Sequence, residues 1–281
     1  MKILSLLLVW LWSSHSLAAP TLWSATKPGQ QLWLFGSVHI ADGRLDSLPA
    51  PLLQSLKQSE RLFLEVDPAT VTPAALAPFL SMPPGDSWHR RLGAPLANQL
   101  EQYFDQPALS LLKYLPPWFA VLQLTQARAM ALGFAGAQGV DMQVMRMAQQ
   151  QQLPISGLES PDLVFSLLAS LPERQLEADF VRHTLDELDE LQQHLERLLD
   201  TWQSGDEQAL LALLHNEQSP TLSHFIEQEL LLSRNRLWLK QLKSQSPKKA
   251  LLVVGALHLY GEHGLLRLLE QDGYILHKVE D

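Results

Sequence analysis

Two segments from opposite ends of the chain share one form: an apolar run, then glycine, two residues and histidine. The first is Leu32-Trp33-Leu34-Phe35-Gly36-Ser37-Val38-His39 and the second is Leu251-Leu252-Val253-Val254-Gly255-Ala256-Leu257-His258. Each then continues to a further glycine, Gly43 and Gly261. One Gly-x-x-His arises by chance, but two behind strand-like runs put both imidazoles just past strand ends. In an open α/β sheet that is where ligands sit. The glycine lets backbone or ligand approach closely where each strand opens into its loop. Glu65, in Leu62-Phe63-Leu64-Glu65-Val66-Asp67, ends a third apolar run, where an unpaired charge would be costly. Glu159, in Ile155-Ser156-Gly157-Leu158-Glu159-Ser160, follows a fourth. Ser160-Pro161 has the form of a helix start, so Glu159 also reads as an acid that only flanks a helix N-terminus.

Two imidazoles and a carboxylate form a common site for a divalent transition metal, with positions open for water and substrate. His39, His258 and Glu65 are that set. A metal there would lower the pKa of bound water and polarise a carbonyl, with Glu65 a ligand or the acceptor of water's proton. Without a metal, the same atoms read as a general-base histidine oriented by a glutamate. Both schemes stay open. His258-Leu259-Tyr260-Gly261-Glu262-His263 is not H-E-x-x-H, and neither a Gly-x-Ser-x-Gly elbow nor a phosphate-binding loop occurs.

Strands must position these residues. Thr21–Lys27 and Gln30–Gly36 around Pro28-Gly29 read as a hairpin, and Arg61–Val66, Leu153–Gly157, Ala250–Ala256 and Gly273–Val279 as further strands. Between them the periodicity predicts helices over Pro117–Leu132, Asp141–Gln152, Pro172–Trp202, Leu222–Leu242 and Gly264–Gln271. Asp141 reads as a helix N-cap. Gly205 ends the long helix, and Asp206 can cap the next. Leu76–Gly93, rich in proline and glycine, reads as a loop or partial lid. The expected fold is α/β: a central, mainly parallel or mixed sheet from N- and C-terminal strands, with a large helical insertion.

At 281 residues, with 46% apolar and 18% charged residues, the chain is globular. The net charge of −9 and the absence of long basic runs argue against a nucleic-acid surface. There is no cysteine, which excludes disulfides, a thiolate nucleophile and zinc fingers. Met1-Lys2, the apolar run Ile3–Trp12 and the small residues up to Ala18 have the layout of a secretory signal, with the cut expected after Ala18. Residues 1–18 are then a signal peptide, and residues 19–281 a single domain in the periplasm or outside the cell. Ile3–Trp12 is far short of the roughly 20 apolar residues a membrane span needs, so no stable insertion is expected after cleavage.

The paired Gly-x-x-His motifs, the Leu-Glu-Val-Asp segment, Gly139-Val140-Asp141, Gly157-Leu158-Glu159, Arg234-Asn235-Arg236-Leu237-Trp238 and the stretch Val254–Gly261 resemble the TraB/GumN family, which includes the Tiki-like proteins. The resemblance implies a sheet carrying both histidines at one site. For its Tiki-like branch it implies a metal-dependent peptidase using manganese or cobalt, with zinc a further possibility. The essential residues are then His39, His258 and Glu65. Related erythromycin-esterase-like proteins imply metal-free histidine chemistry. The family pattern also gives Arg234 the role of a clamp for a substrate carboxylate or oxyanion. The leading expectation is an exported metal-dependent hydrolase of a peptide or small-molecule amide, with Glu65, Arg234 and Glu159 as candidate catalytic residues. The alternatives are a metal-free esterase and a non-catalytic protein that binds a peptide or haem-like ligand.

Overall fold

The computed structural model describes residues 20–45, 47–105, 107, 109–213 and 219–279. The expected signal peptide lies outside the described residues. Six strands form one mixed sheet: β1 (Leu22–Lys27), β2 (Gln30–Ser37), β3 (Arg61–Val66), β4 (Ile155–Glu159), β5 (Lys249–Gly255) and β6 (Ile275–Lys278), in the order β4-β3-β5-β2-β1-β6. β4, β3, β5 and β2 run parallel, while β1 is antiparallel to both β2 and β6. Gly29, at φ +79°, turns the β1–β2 hairpin. The unbroken apolar runs of β2 and β5 follow from their place in the sheet. Both faces are covered, so Leu32, Leu34, Phe35, Leu251, Leu252 and Val254 are all buried. The expected meeting of N- and C-terminal strands is the β2–β5 pair, with Gly36 opposite Val254 and Ser37 opposite Gly255.

Helices fill the interval between β3 and β5, with two departures from the periodicity. The expected helix over Pro172–Trp202 is two, Glu177–Leu188 and Leu191–Ser204. The apolar spacing continues through the break because each half buries a different surface. The first packs on the helix Pro117–Ala131. The second ends on the sheet, where Trp202 donates its indole N–H to the Gly36 carbonyl (2.8 Å) and meets Phe35 edge-on. The expected helix over Leu222–Leu242 is continuous but not uniformly α. Pro220–Phe225 and Arg234–Gln245 flank a π-helical stretch, Ile226–Ser233. Leu76–Gly93 is not a plain loop either: Trp88–Leu92 is helical and anchors Trp88 and Leu92 in the core. β4 begins and ends two residues later than expected, which makes Glu159 its last residue.

Candidate active site

The parallel pairing decides which side chains meet. β5 lies between β2 and β3, so the loops after all three open at one edge of the sheet. Glu65, near the end of β3, accepts the Gly255 backbone N–H on Oε1 at 2.7 Å. His39 Nε2 lies 3.6 Å from the same oxygen, and His258 Nε2 lies 3.9 Å from Oε2. The three residues singled out by type and spacing therefore converge. Gly255 is part of the reason: a Cβ there would lie 3.1 Å from Glu65 Oε1 and 3.2 Å from His39 Nε2. Gly36 has the companion role, since a Cβ would lie 2.9 Å from the Ala256 Cα.

His258 is sealed, with only 4% of its surface exposed. Its Nδ1 lies 2.8 Å from Asn235 Oδ1, its Nε2 lies 3.1 Å from Arg234 Nη1, and its ring lies 4.3 Å from the Trp238 ring. Burial, together with the neighbouring Arg234 and His39 cations, outweighs the Glu65 carboxylate and pushes the His258 pKa down to about 3. The ring is thus neutral. Arg234 can only donate, so Nε2 carries the accepting lone pair and Nδ1 the proton, which goes to Asn235. Asn235 Nδ2 in turn donates to the His258 and His263 carbonyls.

Arg234 is the hub. Its Nε donates to Glu159 (3.0 and 3.1 Å), Nη2 to Glu159 Oε1 (2.5 Å) and Glu65 Oε2 (2.7 Å), and Nη1 to the Leu230 carbonyl (3.0 Å) and His258. The π stretch helps, because the Arg234 backbone N–H bonds the Leu231 carbonyl and the Leu230 carbonyl takes the guanidinium. All five N–H groups of the guanidinium are engaged within the protein. None is left for the substrate anion that Arg234 was expected to clamp. Glu159 has no exposed side-chain surface and also accepts the Trp238 indole N–H at 2.7 Å. Burial raises its pKa against the pull of Arg234 and Trp238. It holds Arg234 rather than facing a substrate, and it is not merely a flanking acid at a helix start. Nor does Ser160 cap that helix with its side chain, although Pro161 takes the first helical position.

His39 is the open half: its side chain is 57% exposed. Nδ1 faces Asp141 Oδ2 at 3.3 Å. Partial burial works against a charge on the ring, but the Asp141 and Glu65 carboxylates outweigh it and raise the His39 pKa to about 10. Glu65 moves the other way. Its burial is outweighed by His39, His258 and Arg234, which hold the carboxyl well below the usual range. Asp141 is not the expected N-cap. Gly139 occupies that position, and Asp141 sits in the first turn of the helix Val140–Gln150. Asp141, Asn235 and Trp238 are the contributors that sequence reasoning left without a role at the site. All three lie in segments that carry the family resemblance, and the i, i+4 spacing of Arg234 and Trp238 also puts those two on one helix face.

His39, Glu65, Asp141 and Arg234 open onto a cavity of about 290 Å³. Its walls are apolar: Leu64, Val66, Pro68 and Val71 from β3 and the segment after it, Pro161, Val164 and Phe165 from the helix after β4, and Val253. A few polar groups at the base of an apolar recess is the usual form of a small-molecule or active site.

The donor set meets one requirement of a metal centre and fails another. Each ring turns Nε2 towards Glu65 because an oxygen faces its Nδ1, the backing that metal-bound histidines carry. However, the His258 Nε2 lone pair accepts from Arg234, and Arg234 also takes Glu65 Oε2. One lone pair cannot serve both a guanidinium and a metal. Among the described residues, no group of three or more His, Asp or Glu side chains is arranged to hold a metal ion. As arranged, His39, His258 and Glu65 do not form a ligand set.

Known proteins match along nearly the whole chain. YbaP of Escherichia coli (strain K12) is 27% identical over 265 residues, covering 89% of this chain and 97% of YbaP. YbaP of Shigella flexneri matches to the same extent. No solved structure gives a significant match. The TraB/PrgY/gumN family matches over residues 21–278, a span that includes every strand and every side chain of the site. The chain therefore belongs to the TraB/PrgY/gumN family.

Proposed function

We propose that the chain hydrolyses a peptide or amide bond held in the cavity, with His39 and Glu65 as the reacting groups and Arg234 as a fixed cation behind them. The observation that carries this reading is the 3.6 Å gap between His39 Nε2 and Glu65 Oε1 at the base of an apolar recess. That gap is too long for a hydrogen bond and leaves the reacting edge of the ring to a third molecule. Glu65, a weak base, takes the proton of the attacking water only as the new C–O bond forms and acidifies it, and His39, protonated through neutral pH, gives one from Nε2 to the departing nitrogen. The proton on Glu65 then returns to His39 and restores the pair. Arg234 and the Gly255 N–H hold the two Glu65 oxygens throughout. The apolar walls lower the local polarity and strengthen these interactions.

A second reading keeps the hydrolysis but makes it dependent on manganese or cobalt, with zinc as a further possibility. The oxygen facing each Nδ1 favours it, and it requires Arg234 to release His258. Turnover of a quenched fluorescent peptide library by the full chain separates the two. The metal-free reading expects turnover that persists in EDTA and disappears in His39→Ala. Turnover only with added Mn²⁺, Co²⁺ or Zn²⁺ selects the second reading. No turnover under any of these conditions leaves a non-catalytic peptide- or haem-binding protein. We also place the mature chain, beginning at Ala19, in the periplasm or outside the cell. N-terminal sequencing of fractionated protein tests that placement.

A further inference from the structure

We propose that Asp141 is a positioning residue for His39: it anchors the Nδ1 edge of the ring so that Nε2 faces Glu65 and the cavity. The role rests on the hydrolytic reading above, but its geometry stands apart from it. Gly139 holds the N-cap position, and Asp141, in the first turn, caps no backbone N–H. Its Oδ2 faces His39 Nδ1 at 3.3 Å, while its Oδ1 is buried with no hydrogen-bond partner. A first-turn acid serving only the helix dipole would lie in solvent, where both oxygens are hydrated. The side chain is partly exposed, but an unsatisfied buried oxygen is costly, and the charge contact between Oδ2 and the His39 ring offsets that cost.

The backbone fixes this pair. The Val140 N–H donates to the Val38 carbonyl at 3.0 Å, and Ala41 and Ala135 exchange two hydrogen bonds just beyond. A Cβ on Gly139 would lie 2.5 Å from the His39 carbonyl oxygen, so glycine is what allows the helix start to dock on the His39 loop. The helix thereby delivers Asp141 to the ring at a set distance. With Nδ1 held, rotation of the ring away from Glu65 breaks a charge-assisted contact. A ring free to rotate would lose the alignment on which proton transfer depends.

The test uses the full chain and its Asp141→Asn and Asp141→Ala variants, with two independent readouts. The first is the Nδ1–H resonance of His39 in ¹⁵N-labelled protein, identified by its loss in His39→Gln. The second is kcat and KM on the best-cleaved library peptide, with thermal melting as a control. The proposal expects the resonance to vanish in Asp141→Ala and to move in Asp141→Asn. It expects kcat to fall at least tenfold in both, with KM within about twofold and melting unchanged. An unmoved resonance in both variants overturns it. So does failure of the isosteric Asp141→Asn to fold, which would make the residue structural. If the wild-type chain cleaves no peptide, the hydrolytic reading fails, and the resonance alone still decides the role of Asp141.

Discussion

The two Gly-x-x-His motifs deliver chemically opposite rings. His39 is more than half exposed, flanked by the carboxylates of Asp141 and Glu65, and holds its proton to about pH 10. His258 is buried between Arg234, Asn235 and Trp238 and stays neutral down to about pH 3. The motif supplies only a strand end and a ring. The character of each ring comes from helices elsewhere in the chain, Val140–Gln150 for one and Arg234–Gln245 for the other. A repeated motif is therefore no evidence of a repeated role.

The contrast breaks most sharply in activity. His39→Ala should lower turnover by about a hundred- to ten-thousandfold, the usual worth of a positioned acid or base, with the urea midpoint nearly unchanged only near pH 10, where the ring's charge no longer contributes to stability. A loss of stability that persists at that pH would show that the open ring is structural after all. Arg234→Met should act the other way round. It strands the buried Glu159 and Glu65 carboxylates, and chemical denaturation should record a loss of about 3–5 kcal/mol. A loss below about 1 kcal/mol would mean that the hub is not what holds the sealed half together. Gly255→Ala sits between the halves. Its methyl must displace Glu65 or His39, so we expect a smaller stability loss of about 1–3 kcal/mol with a measurable fall in turnover.

The smallest and most diagnostic effect is the shape of stability against pH. His39 binds its proton more tightly folded than unfolded, so its contribution is complete below pH 6.5 and is lost as pH rises towards about 10. His258 binds its proton less tightly folded, so stability is lost as pH falls from 6.5 towards about 3. Glu65, depressed in the fold, adds to that acid limb below its unfolded pKa near 4.5. Urea melts across pH should peak near 6.5. His39→Gln should flatten only the alkaline limb, and His258→Gln should flatten the acid one.

Much of this site was legible before any coordinates. The apolar runs of β2 and β5 are long and uninterrupted because both faces of those strands are buried. Their boundaries and their adjacency follow from the same pattern that put His39, His258 and Glu65 together. What could not be read was direction and partnership. Asp141 has the residue type and position of a cap, and only the docking of Gly139 on the His39 carbonyl turns its side chain to the ring. Arg234 looked free because its three side-chain partners (Glu65, Glu159 and His258) come from separate segments, and no local spacing announces their union. The break after Leu188 was hidden for a related reason: apolar periodicity records that a face is buried, not that the burying surface has changed.

The adjacency of β2 and β5 also has a temporal consequence. A polypeptide emerging from its N-terminus presents His39 and Glu65 long before Gly255 and His258 exist to meet them. A product ending before β5 would lack the strand that β2 and β3 both border. Contacts this distant in sequence also form slowly, so the site should be among the last features to mature during folding.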